Sequence, residues 1–385
     1  MMKNSLYLWW VYLYRVLGSQ VIQPITHSQW YKPLIPVSGA HQASQLPVNT
    51  HKQGWIKADV LAQVEQYLFQ QNTRAFLVMH DGHLVHESYK KFTKEQTFNS
   101  MSMVKTIQAI AIGIAIDKGM INSVHDSVAN YLPEWKNDSR ADITIEHLLT
   151  MQSGLKSDLK LHGLTFLPLI VRLYLGTDIN RHILALPAVN KPAAYFEYNN
   201  YNTQLLGLIL ERASGLTTAE FFSRYLWEPL GCHEASLWLD KHQGTARTFA
   251  AMFARPEDWL RVASLFLTQG NYQGQQIVAA EWLQQMQVPR NTPERGIKDG
   301  KSDYGYQLWL KAHDYGVIRG IPSFEAMHAT EQHHDKTVFY FEGLRGQYLF
   351  VSPKHQLIML RMGERPRRHW DGSFAINQLT NGLLS

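Results

Sequence analysis

The chain predicts an α+β architecture, an antiparallel sheet flanked by helices with a helical domain inserted. Three observations lead there. Period-two alternation appears near residues 75–89 and again at 337–362, and helical periodicity fills most of the stretch between. Short turns join the neighbouring strands at each end, which suits antiparallel but not parallel pairs.

Taken in order, Lys3 precedes an apolar, aromatic run, Leu6–Tyr14, that ends at Arg15. About nine residues match the apolar core of an export signal and fall short of a bilayer span. Val16-Leu17-Gly18 offers a cleavage site without the usual alanines. Trp9, Trp10, Tyr12 and Tyr14 would equally suit an interfacial anchor. Residues 1–20 therefore read as a signal peptide or membrane anchor. Export to the periplasm or attachment to the inner membrane is expected, with a cytoplasmic location as the alternative. Residues 21–54, rich in Pro, Ser, Gln and His, read as a linker or wrapping segment.

The main domain is expected over 55–385, its α/β part over 55–130 and 300–385 and its helical part over 131–299. Ile56–Phe69 is amphipathic and predicts a helix. Ala75–His80 and His83–Tyr89 alternate around Asp81-Gly82, a two-residue hairpin signal. The apolar helix Ile107–Ile116 follows. Asp126–Leu132 reads as a loop, and Thr144 caps a short helix that Ser153-Gly154 stops. Phe166–Leu175, Thr203–Ala213, Thr218–Leu226 and Pro256–Gln269 carry helical spacing. Thr337–Phe341, Gln347–Ser352 and Gln356–Met362 are β-rich, the last two around Pro353-Lys354-His355. A helix over Ser373–Leu384 closes the chain.

At 385 residues with 45% hydrophobic content, the chain can bury a large core. A net charge of +5 is spread out apart from Arg365, Arg367 and Arg368, so no nucleic-acid partner is expected. Cys232 is the lone cysteine, which excludes an internal disulfide and a cysteine metal site. His333-His334-Asp335 lacks metal-ligand spacing, and no metal or other cofactor is expected.

The chemistry concentrates at Ser102-Met-Val-Lys105, at the start of the apolar helix. Three residues of α-helix turn by roughly 300° and rise about 4.5 Å, so hydroxyl and amine share a face. That is what a serine nucleophile needs from a lysine that takes or steers its proton. The same spacing recurs at Ser88–Lys91, Ser153–Lys156 and Ser157–Lys160. Ser102 alone opens a long apolar helix that would bury the pair and hold it still.

Three blocks in order resemble the β-lactamase-related serine hydrolases, which include class C β-lactamases, D,D-peptidases, family-VIII esterases and 6-aminohexanoate-dimer hydrolases. The first runs from Ser102 through Gly113-Ile-Ala-Ile-Asp117-Lys-Gly119 to Ile145-Glu-His147 and Ser153-Gly154-Leu155. The second is Phe196-Glu-Tyr198-Asn-Asn200-Tyr-Asn202, and the third is Gly343-Leu-Arg-Gly346-Gln347. The resemblance spans roughly 55–385 and implies a β-lactamase/transpeptidase-like fold. It implies Ser102 as acyl-forming nucleophile, Lys105 and Tyr198 as proton-transfer residues, and Asn200 as a binder of substrate amide. It further implies an oxyanion hole from the backbone N–H groups of Ser102 and Leu344, beside Gly343. Which of Lys105 and Tyr198 is the general base stays open.

The third block departs from the family pattern. Phe341 stands where Lys or His is usual, and Glu342 takes the middle position. A Phe341 facing the site would leave no cation for a substrate carboxylate, with Arg345 as a replacement. An uncharged ester or amide is therefore the expected small-molecule substrate, and β-lactamase activity is not favoured. The alternative is a degenerate, penicillin-binding-like protein that holds an acyl or peptidoglycan-type ligand without turning it over.

Overall fold

Antiparallel pairing builds a five-stranded sheet, a four-stranded sheet and a small two-stranded hairpin among the described residues. The computed structural model describes residues 10–11, 13–15, 30–48, 55–157, 169–290, 303–312, 329–367 and 370–384. Past the N-terminal turn come β1 (Leu34–Val37), α1 (Ala58–Gln70), the hairpin β2 (Thr73–His80) and β3 (His83–Tyr89), and β4 (Phe98–Asn99). A 3-10 turn, Met101–Met103, leads into α2 (Val104–Asp117). Then follow α3 (Ile145–Leu149), α4 (Leu169–Leu175), α5 (Ile179–Leu184), α6 (Asn200–Ser214), α7 (Thr218–Phe222), β5 (Ala235–Trp238) and β6 (Met252–Ala254). The chain closes with α8 (Pro256–Leu267), the small hairpin β7 (Asn271–Tyr272) and β8 (Gln275–Gln276), α9 (Ala280–Met286), β9 (Phe339–Gly343), β10 (Gln347–Ser352), β11 (Leu357–Gly363) and α10 (Phe374–Asn381).

The larger sheet has the order β3-β2-β11-β10-β9, so strands from both ends of the domain interleave and β9 is an edge. At the β2–β3 turn Asp81 and Gly82 both take positive φ, 46° and 74°, as a two-residue hairpin turn requires. Both faces of this sheet are covered. Val64 and Leu68 of α1 and Ile376 and Leu379 of α10 pack with Phe76, Val78, Phe350 and Met359 on one face. Leu77, Leu349, Val351 and Leu360 belong to the main core on the other, where Phe266 of α8 meets Phe339 at 5.0 Å.

Helix α2 has no polar face to solvent, since Val104 through Ala115 are all buried. Gly113 is what lets it meet α9, because a Cβ there would lie 2.2 Å from the Trp282 ring. Trp282 then donates its indole N–H to the Ala109 carbonyl at 3.1 Å.

The hairpin, α2, the three C-terminal strands and the Thr144 cap follow the sequence expectation. The final helix is shorter than expected and ends at Asn381. A second sheet, order β1-β5-β6-β4, was not anticipated. Its strands have two to four residues, too few for alternation to show. Its edge strand β1 comes from the wrapping segment, where Pro36 is tolerated at an edge. Val16–Gly18, most of the aromatic run and the start of the Phe166–Leu175 helix lie outside the described residues. Arg15 is 2% exposed and donates to the carbonyls of Lys32 and Asp240, both at 2.8 Å, which fastens this part of the N-terminal stretch to the body.

Candidate active site

Ser102 sits in the short turn that connects β4 to α2, and the turn is tightly specified. Asn99 Oδ1 accepts the Met101 N–H at 2.8 Å, and Met101 is held at φ 49°, a region that β-carbon residues rarely occupy. The edge strand β9 packs on this turn at Gly343. A Cβ there would come within 2.3 Å of the Ser100 carbonyl oxygen, so only glycine lets β9 lie so close to the serine.

One helical turn on, Lys105 Nζ donates to Ser102 Oγ at 2.8 Å and to the Phe249 carbonyl at 2.6 Å. Lys105 is 2% exposed and lies over the Tyr198 ring at 5.1 Å. Burial holds its pKa well below the usual lysine range, and Glu342 offsets this in part. The pairing expected from spacing is therefore present, with the amine beneath the hydroxyl. Ser102 itself is half-buried.

Tyr198 enters just before α6, whose first turn is capped by Asn199, the side-chain oxygen accepting the Tyr201 N–H at 3.0 Å. The Tyr198 ring stacks on Trp309 at 5.7 Å and 18°, with Tyr304 edge-on at 6.4 Å. Burial raises the Tyr198 pKa, which the Ser102 hydroxyl offsets in part. Its phenol accordingly keeps its proton at neutral pH. Asn200, the first residue of α6, has a buried Oδ1 with no partner among the described residues. Ser153 Oγ donates to Asn202 Oδ1 at 2.6 Å, so this second Ser-x-x-Lys serine is committed to the scaffold.

The aromatic segment 304–309 divides. Trp309 bridges to β9 at Tyr340 and, with Tyr304, walls Tyr198. Tyr306 turns away, packing on Trp282 at 5.4 Å and donating to Glu146 at 2.6 Å. Gln307 pins the segment, its amide donating to the carbonyl of Leu149 and its carbonyl accepting from Thr106 Oγ1, each at 2.8 Å.

On β9 the structure corrects one expectation. Phe341 does not face the site. It is fully buried in the main core, 5.8 Å from Phe266 of α8. Strand alternation instead turns Glu342 toward Lys105, Tyr198 and Tyr304, all of which sense its charge. Glu342 is half-buried, and desolvation pushes its pKa up to about 8, opposed first by Lys105 and then by the Tyr348 hydroxyl. Leu344 follows at the half-buried end of the strand. Arg345 is not directed at Ser102 as a stand-in cation, for its guanidinium pairs with Glu364 at 3.4 Å. The Phe249 carbonyl under Lys105 left no trace in the sequence, since a backbone acceptor has no residue type.

The family model described as Beta-lactamase matches residues 62–377. A 6-aminohexanoate-dimer hydrolase of Paenarthrobacter ureafaciens is 23% identical over 86% of this chain and 82% of its own length. Among solved structures, a Bacillus anthracis protein provisionally assigned as a 6-aminohexanoate-dimer hydrolase superposes with a TM-score of 0.71. It is 19% identical and the match covers 93% of this chain and 90% of that one. A family VIII carboxylesterase gives a TM-score of 0.64 at 17% identity, over 86% of this chain and 99% of that one.

Proposed function

The chain belongs to the Beta-lactamase family, and on that premise we propose that it is a serine hydrolase cleaving an ester or amide through an acyl-enzyme on Ser102. The observation that carries the reading is the 2.8 Å contact between Ser102 Oγ and a lysine that is 2% exposed. An ammonium in that setting is disfavoured by desolvation, so Lys105 loses its proton far more readily than an ordinary lysine. Once neutral, the same contact reverses: the hydroxyl donates to the amine lone pair, while an amine N–H still reaches the Phe249 carbonyl. Lys105 is thus the base, and Tyr198, whose pKa moves the other way, is the proton donor.

In the acylation step Ser102 Oγ bonds to the substrate carbonyl carbon and gives its proton to Lys105. Negative charge grows on the carbonyl oxygen, for which the backbone N–H groups of Ser102 and Leu344 are the proposed donors; one such donor is worth about 3–4 kcal/mol of barrier. Collapse breaks the bond to the leaving group, which takes a proton from the Tyr198 hydroxyl as Tyr198 regains one from Lys105. Water then repeats the sequence on the acyl-enzyme and releases the acid. Asn200, whose buried Oδ1 has no partner among the described residues, is the proposed acceptor of an N–H from the substrate. Glycine at 343 lets β9 pack against the turn that carries Ser102, which brings the Leu344 N–H near it. No metal or cofactor is required.

The non-catalytic alternative drew its support from the missing cation at the Phe341 position; Glu342 supplies no cation there, and covalent labelling of Ser102 by a fluorophosphonate separates the two readings. The N-terminal aromatic run is proposed as an export signal or interfacial anchor, which cell fractionation tests. For the catalytic reading, the test is hydrolysis of a short-chain p-nitrophenyl ester, with nitrocefin alongside. Wild type should turn over the ester, and Ser102→Ala should lose at least about 10⁴-fold, with little nitrocefin cleavage by either. Equal turnover by both proteins would remove Ser102 from the mechanism.

A further inference from the structure

We propose that Glu342 selects substrates that carry a cationic group close to the scissile bond, the opposite of a site that grips a carboxylate. The inference rests on the serine-hydrolase reading and deepens it. Glu342 is half-buried on the edge strand that flanks Ser102, one residue before the Gly343 that touches the nucleophile turn. Its side chain stands on the face opposite Phe341, across the ladder from Tyr348. Tyr348 is itself buried and stacked on Trp370 at 5.8 Å, and its hydroxyl gives Glu342 a hydrogen bond but no counter-charge.

No described residue forms a salt bridge with Glu342. The cations near it are otherwise engaged. Lys105 spends two N–H groups on Ser102 Oγ and the Phe249 carbonyl, and burial favours its neutral form. Arg345 is paired with Glu364. The remaining neighbours are the phenols of Tyr198, Tyr304 and Tyr348, whose pKa values are all raised and which stay neutral. With its pKa pushed up to about 8, Glu342 is largely protonated at neutral pH; once ionised above that pH it has no salt-bridge partner among the described residues, and a ligand cation is what completes it. An anionic ligand would add like charge where desolvation already opposes the carboxylate.

The test uses aryl esters that differ in the tip of the acyl chain, which is methyl, trimethylammonium or carboxylate, and a second set with these tips on the aryl leaving group. At pH 9, where Glu342 is ionised, wild type should in at least one set prefer the cationic over the anionic ester by about tenfold or more in kcat/KM, and Glu342→Gln should shrink that ratio to about threefold or less. A wild-type preference for the anion in both sets, or a ratio that Glu342→Gln leaves unmoved, overturns the proposal. Calorimetric binding of hexyltrimethylammonium and hexanoate to Ser102→Ala protein at the same pH separates this claim from the catalytic one. Tighter binding of the cation supports Glu342's role even if no ester is turned over. Equal or tighter binding of hexanoate overturns it, whatever the fate of the nucleophile.

Discussion

Lys105 and Arg361 are both buried basic side chains, one under Ser102 and one inside the large sheet, and they meet burial in different ways. Arg361 is fully buried, and its guanidinium reaches the carbonyls of Gln71 at 2.7 Å, Glu364 at 2.9 Å and Arg345 at 3.1 Å, with Thr73 Oγ1 at 3.1 Å. Burial lowers its pKa only to about 10, so it keeps its charge at neutral pH and knots β11 to β2 and to the β9–β10 turn. Lys105 has two partners, the Ser102 hydroxyl and the Phe249 carbonyl. A lysine can answer burial by giving up its proton, and an arginine cannot. The lesson is that acceptor count and titratability separate a structural buried cation from one available for proton transfer.

The comparison breaks most directly by substitution at both places. Lys105→Met should cost about 10²–10⁴-fold in kcat while leaving folding stability equal or higher, because a desolvated amine is replaced by an apolar chain. Arg361→Met should do the reverse, destabilising by about 3–5 kcal/mol as several buried carbonyls lose their donor. Its effect on kcat should follow only from the fraction folded. Urea melts and single-turnover rates on both variants check this; a Lys105→Met protein that loses stability but not rate would invert the argument.

Tyr198→Phe sharpens the division of labour around Lys105. The ring and its stacking on Trp309 remain, so turnover should drop at least about a hundredfold with the melting temperature nearly unchanged. The loss should be greatest for substrates with poor leaving groups, which depend on the donated proton. Equal rates for wild type and variant would take the phenol out of the mechanism.

Gly343→Ala tests whether the site depends on the close approach of β9. The added methyl must displace either β9 or the Ser100 carbonyl, which lowers kcat by about tenfold to a hundredfold and stability by about 1–3 kcal/mol. A fully active variant would show that the nucleophile turn has room to spare.

The smallest effect concerns His333, a buried neutral group beside two aromatic rings, Tyr340 at 5.8 Å and Phe350 at 5.7 Å. Both ring nitrogens lack partners among the described residues, and burial lowers its pKa to about 4 from 6.5. The folded state therefore binds this proton less well than the unfolded state. Its neutral form costs nothing above about pH 6.5, and stability falls as pH drops from there toward 4, by on the order of 3 kcal/mol at the limit. His333→Phe should flatten that part of a stability-versus-pH curve measured by urea melts, and an unchanged slope would assign the acid sensitivity elsewhere.

Much of this was legible in the sequence because it follows local rules. The Asp81-Gly82 hairpin, the Thr144 cap and the Ser102–Lys105 spacing each need only a few consecutive residues, and Tyr198 and Asn200 came with a motif. The second sheet was hidden because its strands are too short for alternation. Whether Phe341 or Glu342 faces the site was not legible, because motif position does not say which face of β9 meets Lys105 and Tyr198. The Phe249 carbonyl and the Arg345–Glu364 pair arise from tertiary contacts between distant segments, which spacing along the chain does not encode.

The central claim is that Lys105 makes Ser102 the reactive hydroxyl of this molecule. Labelling with a fluorophosphonate, followed by peptide mass spectrometry, tests it most directly. The account predicts a single adduct on Ser102, formed much more slowly in Lys105→Met protein. No adduct, or one of equal rate in that variant, or one on Ser153 or another serine, would contradict it.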